Sequence, residues 1–183
     1  MQRITAINPE TATGKLKDLF GAVEKKLGSV PNMMRTMGAS AAVLDGYLSL
    51  SGALSKGSLS PKMGEQIALV VAEANDCGYC ASAHAYIAGQ LLHIDDKTIL
   101  RSRHGHGIDT KTDAGLTFAK TLVEKRGLTS DADVDLVFKA GFTEGEVGEI
   151  VAHVALNVLT NYFNNTADTV IDFPKVALFS EAA

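Results

Sequence analysis

The 183-residue chain holds only two cysteines, Cys77 and Cys80, so neither a four-cysteine zinc site nor a framework of disulfide staples is open to it. No apolar run approaches the length that crosses a bilayer, which removes a membrane-spanning helix from the reading. No excess of one charge is present either. Seventeen Lys and Arg stand against 21 Asp and Glu, interspersed, for a net charge of -4, and this leaves no electrostatic footprint for nucleic acid. The start of the chain, Met1-Gln2-Arg3-Ile4-Thr5-Ala6-Ile7, lacks the apolar region of a signal peptide. A reducing, cytoplasmic setting is therefore expected, where a Cys-x-x-Cys pair is more often catalytic or metal-binding than structural. Strand alternation, long linkers and solenoid repeats are also missing.

Helical periodicity fills the chain. Leu16, Leu19, Phe20, Val23 and Leu27 line one face, and Gly28 follows as a stop. Pro31 precedes a second apolar segment running from Met33 and Met37 through Val43, Leu44, Tyr47 and Leu48 to Leu54. Ser60-Pro61 has the form of an N-cap with proline at the first helical position, opening a helix with Glu65, Ile67, Leu69 and Val70. Asn75-Asp76 reads as the break after it, with Asp76 as cap of a helix carrying Cys77, Cys80, His84 and Ile87 and ending near Gly89. The polar stretch from His93 to Asp113 reads mainly as turns and loop, with His104 and His106 in solvent. Helices resume over Ala114–Arg126, Asp131–Ala140 and Thr143–Asn164. Thr143 and Glu146 have capping-box spacing, and Ile150, Val154, Leu156, Val158 and Leu159 are read as the core side of the last helix. The expected fold is one all-α domain spanning residues 1–183, a single-domain helical bundle.

Both cysteines lie in one short stretch, three residues apart, with His84 four residues further on. On a helix, steps of three and four residues differ by about 60° and about 40° around the axis, which places the three side chains on one face. Two thiols so spaced can reach disulfide distance, and a helix start favours thiolate over thiol. The pattern points to redox chemistry. A metal site remains open at this level, completed over long range by His93, His104, His106 or His153, as does simple packing of buried cysteines with a hydrogen-bonded His84. Glu65, in a run of Ile67, Ala68, Leu69, Val70 and Val71, reads by itself as a surface carboxylate. A nearby His84 would reverse that reading, since a Glu–His–Cys relay can take a proton off a thiol.

The set Glu65…Cys77-Gly78-Tyr79-Cys80-Ala81-Ser82-Ala83-His84 resembles the carboxymuconolactone decarboxylase-like superfamily, in its alkyl hydroperoxidase D-like, peroxidase-related branch. Gly28-Ser29-Val30-Pro31-Asn32-Met33-Met34-Arg35 is similar to the family's segment before its second helix. The stretch Asn161 to Asp168, with Asp172-Phe173-Pro174 after it, is similar to its C-terminal signature. The resemblance implies an all-helical domain oligomerising through its helices as a homo-oligomer, commonly a trimer or hexamer, that works without haem, flavin or metal. It implies hydroperoxide reduction in antioxidant defence, with Cys80 as the peroxide-attacking nucleophile, Cys77 as the resolving thiol, and Glu65 and His84 as the proton relay. A dithiol reductant, such as a lipoyl-bearing protein, and a peroxiredoxin are the partners it implies. Tyr79 stands where better-known hydroperoxidases carry a second histidine, and it is a further candidate in proton delivery; by thioredoxin logic the nucleophile is instead Cys77. Two rivals accompany this reading. One is muconolactone-type decarboxylation, with Arg35, Arg101 or Arg103 as candidate carboxylate holders, although each reads as a solvated surface charge. The other is a non-enzymatic redox-sensing oligomer. Met33, Met34 and Met37 are expected in a core or subunit interface, with a substrate-lining role second, His153 in a structural role, and Tyr162-Phe163 either on the cavity wall or in core packing.

Overall fold

The computed structural model describes residues 1–181. Its elements are α1 (Gly14–Leu27), α2 (Asn32–Met37), α3 (Ala41–Leu54), α4 (Pro61–Ala74), α5 (Gly78–Tyr86), α6 (Asp96–Arg103), α7 (Thr110–Glu124), α8 (Asp131–Lys139) and α9 (Glu144–Ala167), with no strand among the described residues. A π-helical turn, Ile87–Leu91, extends α5. The fold is an all-helical single domain, as expected. No helix among the described residues is long and apolar enough to cross a membrane.

The centre of the molecule is α4. Met63, Ile67, Ala68, Leu69, Val70, Val71 and Ala72 are buried around nearly its whole circumference, which a helix tolerates only when neighbours cover it on all sides. α9, α5, α7 and α6 supply that cover. Ser60 caps α4 as expected, its Oγ accepting the Met63 N–H at 3.1 Å. Gly28 ends α1 at a φ of 79°, a left-handed conformation that favours glycine, and its N–H closes on the Glu24 carbonyl at 2.7 Å. Thr143 and Glu146 form both bonds of the capping box that opens α9.

The apolar segment from Met33 to Leu54 forms two helices, separated at Gly38–Ser40. Three expectations need correction. The stretch from His93 to Asp113 contains α6 and the first turn of α7. Asp95 caps α6 by accepting the Thr98 N–H at 2.9 Å, and the helix buries a stripe of Thr98, Ile99 and Ser102 too polar to show as an apolar face. Asp76 does not cap α5; it takes a φ of 48° in the turn, and Cys77 is the cap. On α9, Leu159 and Tyr162 are exposed, whereas Phe163 packs on the core.

After α9 the chain turns at Asp168 and runs back as a strap over the outer side of α5. Asp172 accepts the Asn32 N–H at 2.8 Å, the Val176 N–H reaches Ser82 Oγ at 3.1 Å, and Leu178 is buried in the cluster that contains Cys77. Arg103 is also corrected. It is not a solvated charge but pairs in the interior with Glu73, lies over the Phe179 ring and donates to the Ala177 carbonyl at 2.6 Å. His104, at the end of α6, stacks on that same Phe179 ring.

Candidate active site

A cavity of about 840 Å³ opens among α2, α3, α4, α5, α9 and the strap. Its apolar wall includes Met33, Met34, Leu48, Leu156 and Phe173; its polar groups include Glu65, Cys80, His84, Tyr47 and His153. Cys77 does not line it.

The break between α4 and α5 sets the two thiols apart. As N-cap, Cys77 has extended backbone, and its Sγ accepts the Cys80 N–H at 3.3 Å. Its side chain is therefore tucked under the first turn, fully buried, rather than displayed on the helical face with Cys80. Cys80 sits in that first turn, where free amides favour an anion. It is only 2% exposed, and its sulfur accepts a hydrogen bond from Asn164 Nδ2 at 3.3 Å. Burial works against ionisation of Cys80. The Cys77 hydrogen bond, the His84 charge and the amides of Asn164 and Asn161 outweigh it and bring the thiol down to about 7. Cys77 is driven the opposite way, first by donating its hydrogen bond to Cys80 and then by burial. One thiolate and one thiol is the stable arrangement of the pair.

His84 lies one turn beyond Cys80, and its Nδ1 meets Glu65 Oε2 at 2.7 Å. Glu65 is thus not a surface carboxylate: both side chains are about one-fifth exposed, at 21% and 22%. Burial favours the neutral imidazole, but the carboxylate's charge and hydrogen bond prevail and raise His84. Tyr79 presents its ring to the cavity and commits its hydroxyl elsewhere. That hydroxyl accepts the Met33 N–H at 3.1 Å and donates to Asp172 at 2.8 Å, while burial is the main cause that raises it. Tyr79 thereby ties α2, α5 and the strap together.

The structure brings Glu65, Cys77, Tyr79, Cys80 and His84 to one place. It also brings in side chains that sequence reasoning did not assign. Tyr47 of α3 lines the cavity and is pushed up to about 12, chiefly by burial and then by the charges of Glu65 and Cys80. His153, expected to be structural, lines the cavity too, and burial lowers it. Asn161 and Asn164 are buried beside the thiol. A signal for them existed: polar side chains recur at steps of three and four residues, Asn157, Thr160, Asn161 and Asn164, within an otherwise apolar helix. Arg35 and Arg101 do not line the cavity. They hold backbone carbonyls, Ile7 at 3.1 Å for Arg35 and Gly107 at 2.8 Å for Arg101. Among the described residues no group of three or more His, Cys, Asp or Glu is placed to hold a metal.

Residues 41–90, which contain all five of the predicted site residues, match the carboxymuconolactone decarboxylase family. Solved structures extend the likeness of the fold over the rest of the chain. The alkylhydroperoxidase AhpD core of an uncharacterized peroxidase-related protein from Ralstonia eutropha JMP134 aligns with a TM-score of 0.84 at 22% identity, covering 93% of this chain and 92% of that one. An uncharacterized peroxidase-related protein from Silicibacter sp. TM1040 aligns at 0.78 and 22%, covering 94% and 92%. The debrominase Bmp8, as a cysteine-to-alanine variant in complex with 2,3,4-tribromopyrrole, aligns at 0.78 and 21%, covering 92% and 91%. Comparison with curated proteins gives no match. At these identities the shared property is the AhpD-like carboxymuconolactone decarboxylase fold, on which this chain carries its Cys77–Cys80 pair.

Proposed function

We propose that the protein is a thiol-dependent peroxidase and disulfide oxidoreductase. The observation that carries this reading is the asymmetry of the thiol pair. Cys80, held down to about 7, lines the cavity beside the Glu65–His84 pair, whereas Cys77 lies behind it as a thiol. The Cys80 thiolate attacks the O–O bond of a hydroperoxide; the S–O bond forms, the O–O bond breaks, and the leaving alkoxide takes the proton carried by His84. The resulting sulfenic acid is attacked by the Cys77 sulfur, which gives a disulfide and releases water. An external dithiol, of which a lipoyl group is one example, returns both thiols by exchange, with a peroxiredoxin as client of the same electrons. The reading places the protein in a reducing, cytoplasmic compartment. It includes a homo-oligomer, for which α3 offers an exposed face of Val43, Gly46, Leu50 and Ala53.

The test is hydroperoxide consumption with a dithiol reductant. Cys80→Ser is expected to abolish turnover, and Cys77→Ser to allow a single turnover that stalls at the sulfenic acid. Activity surviving in Cys80→Ser overturns the assignment of the nucleophile.

A second reading, thiol-dependent removal of halogen from a halogenated ring, is favoured by the cavity itself, whose size and apolar wall exceed what a small peroxide needs. Release of bromide from 2,3,4-tribromopyrrole under the same reductant distinguishes it. Decarboxylation of a ring acid has less support, because Arg35, Arg101 and Arg103 are all engaged outside the cavity. A redox-sensing oligomer predicts a change of size on oxidation with negligible turnover.

A further inference from the structure

Among the described residues, two buried atoms beside the reactive sulfur have no partner. Asn164 donates through Nδ2 to Cys80 Sγ at 3.3 Å, yet its Oδ1 receives no hydrogen bond although the residue is only 2% exposed. Asn161 is fully buried, and its Oδ1 is fixed by Asn75 Nδ2 at 3.1 Å. That bridge turns the opposite end of the amide away from Asn75. The freed Nδ2 favours the Cys80 thiolate but completes no hydrogen bond with any group. Leaving a donor and an acceptor unpaired in an interior costs stability, so apolar side chains at both positions would serve packing better. The unpaired set is one amide nitrogen with its N–H donors and one C=O, both on amides that act on the same thiol.

We propose that Asn161 and Asn164 form an amide cradle for Cys80 that is half-filled by the thiolate and filled by the sulfenic acid. In the reduced state the Asn164 amide donates to sulfur. Oxidation adds one oxygen to that sulfur, taken from the peroxide as its O–O bond breaks, and the new S–O–H supplies a donor and an acceptor together. The S–O–H proton goes to Asn164 Oδ1, closing a cyclic pair with the N–H already on sulfur. The Asn161 N–H donates to the new oxygen. A product held in this way survives until the Cys77 sulfur arrives, without the charged partner that a second histidine would bring. The other ionisable groups acting on Cys80 are Cys77 and His84 of the α5 segment, Tyr47 of α3 and Tyr79, with Glu65 of α4 behind His84. The two asparagines are the contribution of α9. The sulfenic-acid half of the proposal rests on the peroxidase reading; the thiolate half does not.

The experiment uses the full chain in a Cys77→Ser background, so that one thiol is present. Thiolate absorbance is titrated against pH, and after one equivalent of hydrogen peroxide the sulfenic acid lifetime is followed by trapping with a cyclic diketone. Asn161→Asp keeps the acceptor for Asn75 while removing the free N–H, and Asn164→Asp replaces the donor on sulfur with an anion. Asn164→Asp is expected to raise the thiol pKa by about one unit or more, as replacing a charge-assisted donor does, and each variant to shorten the sulfenic acid lifetime about tenfold, as loss of one neutral hydrogen bond does. Unchanged titration and lifetime in both variants overturn the cradle. A shifted titration with an unchanged lifetime overturns its oxidised-state half. Both measurements hold whether or not peroxide is turned over catalytically, so their failure is distinct from failure of the peroxidase reading. In the otherwise native chain, the side-chain amide nitrogen resonances of Asn161 and Asn164 are expected to move with the Cys80 titration, whatever the folding of the variants; resonances that stay fixed overturn the proposal.

Discussion

The hydrogen bond between Glu65 and His84 spans 2.7 Å and joins two helices, α4 and α5, at the edge of the cavity. It has a pH signature. Glu65 raises the folded-state pKa of His84 above its ordinary 6.5 against the pull of burial. A group raised on folding contributes stability in full below its unfolded value, and loses it as pH climbs through the folded one. Glu65→Gln is therefore expected to cost about 2 kcal/mol at about pH 6 and distinctly less at about pH 9, by denaturant unfolding at the two pH values. An equal cost at both contradicts a charge-bearing pair. From its neighbours alone Glu65 reads as a surface residue, because a carboxylate among Ile67, Leu69 and Val70 carries no mark of its partner nineteen residues away. The family spacing singles it out where local reading does not. Cys77 shows the converse limit. Spacing puts it on one face with Cys80 only if the helix begins before it, and the helix begins after it.

Among the elements, those with strong end signals were legible and those with weak faces were not. Ser60-Pro61, Gly28 and the Thr143–Glu146 pair fix three helix ends where the sequence places them. α6 escaped because its buried stripe is mostly hydroxyl side chains, Thr98 and Ser102, which hydropathy counts as solvent-facing. Close helix approaches are equally silent in a single sequence. At Gly115 on α7, a Cβ would lie 2.3 Å from Met63 Cε of α4 and 2.7 Å from Phe142 Cζ. Alanine is the better helix former, by about 1 kcal/mol over glycine, and at an exposed site would stabilise. Here the aromatic tip has to yield as well as the flexible methionine end. Gly115→Ala is expected to destabilise the protein by about 1–3 kcal/mol by denaturant unfolding, because overpacking outweighs propensity. A stabilised variant would mean that α4 and α7 separate at little cost.

For the molecule as a whole, the thiol pair is enclosed from two sides by chain segments distant in sequence. α9 supplies the amides beside Cys80, and the strap from Asp168 onward supplies Asp172, Phe173 and Leu178 over α5. A reductant therefore has the cavity as its route to Cys80, while Cys77 lies in the cluster that Leu178 closes. The fastening of the strap is Arg103. Its guanidinium and Glu73 have side chains only 9% and 8% exposed, and the same guanidinium holds the Ala177 carbonyl and the Phe179 ring. Arg103→Ala leaves a buried carboxylate without its cation, at an expected cost of about 3–5 kcal/mol. It also removes both contacts to the strap. In a Cys80→Ser background, alkylation of Cys77 is accordingly expected to accelerate on Arg103→Ala. Arg103→Lys should fall between, because an ammonium cannot reproduce the planar fork that serves Glu73 and Ala177 together. An alkylation rate unchanged by Arg103→Ala would show that the strap does not guard Cys77, and that the helix cap alone keeps that sulfur out of reach.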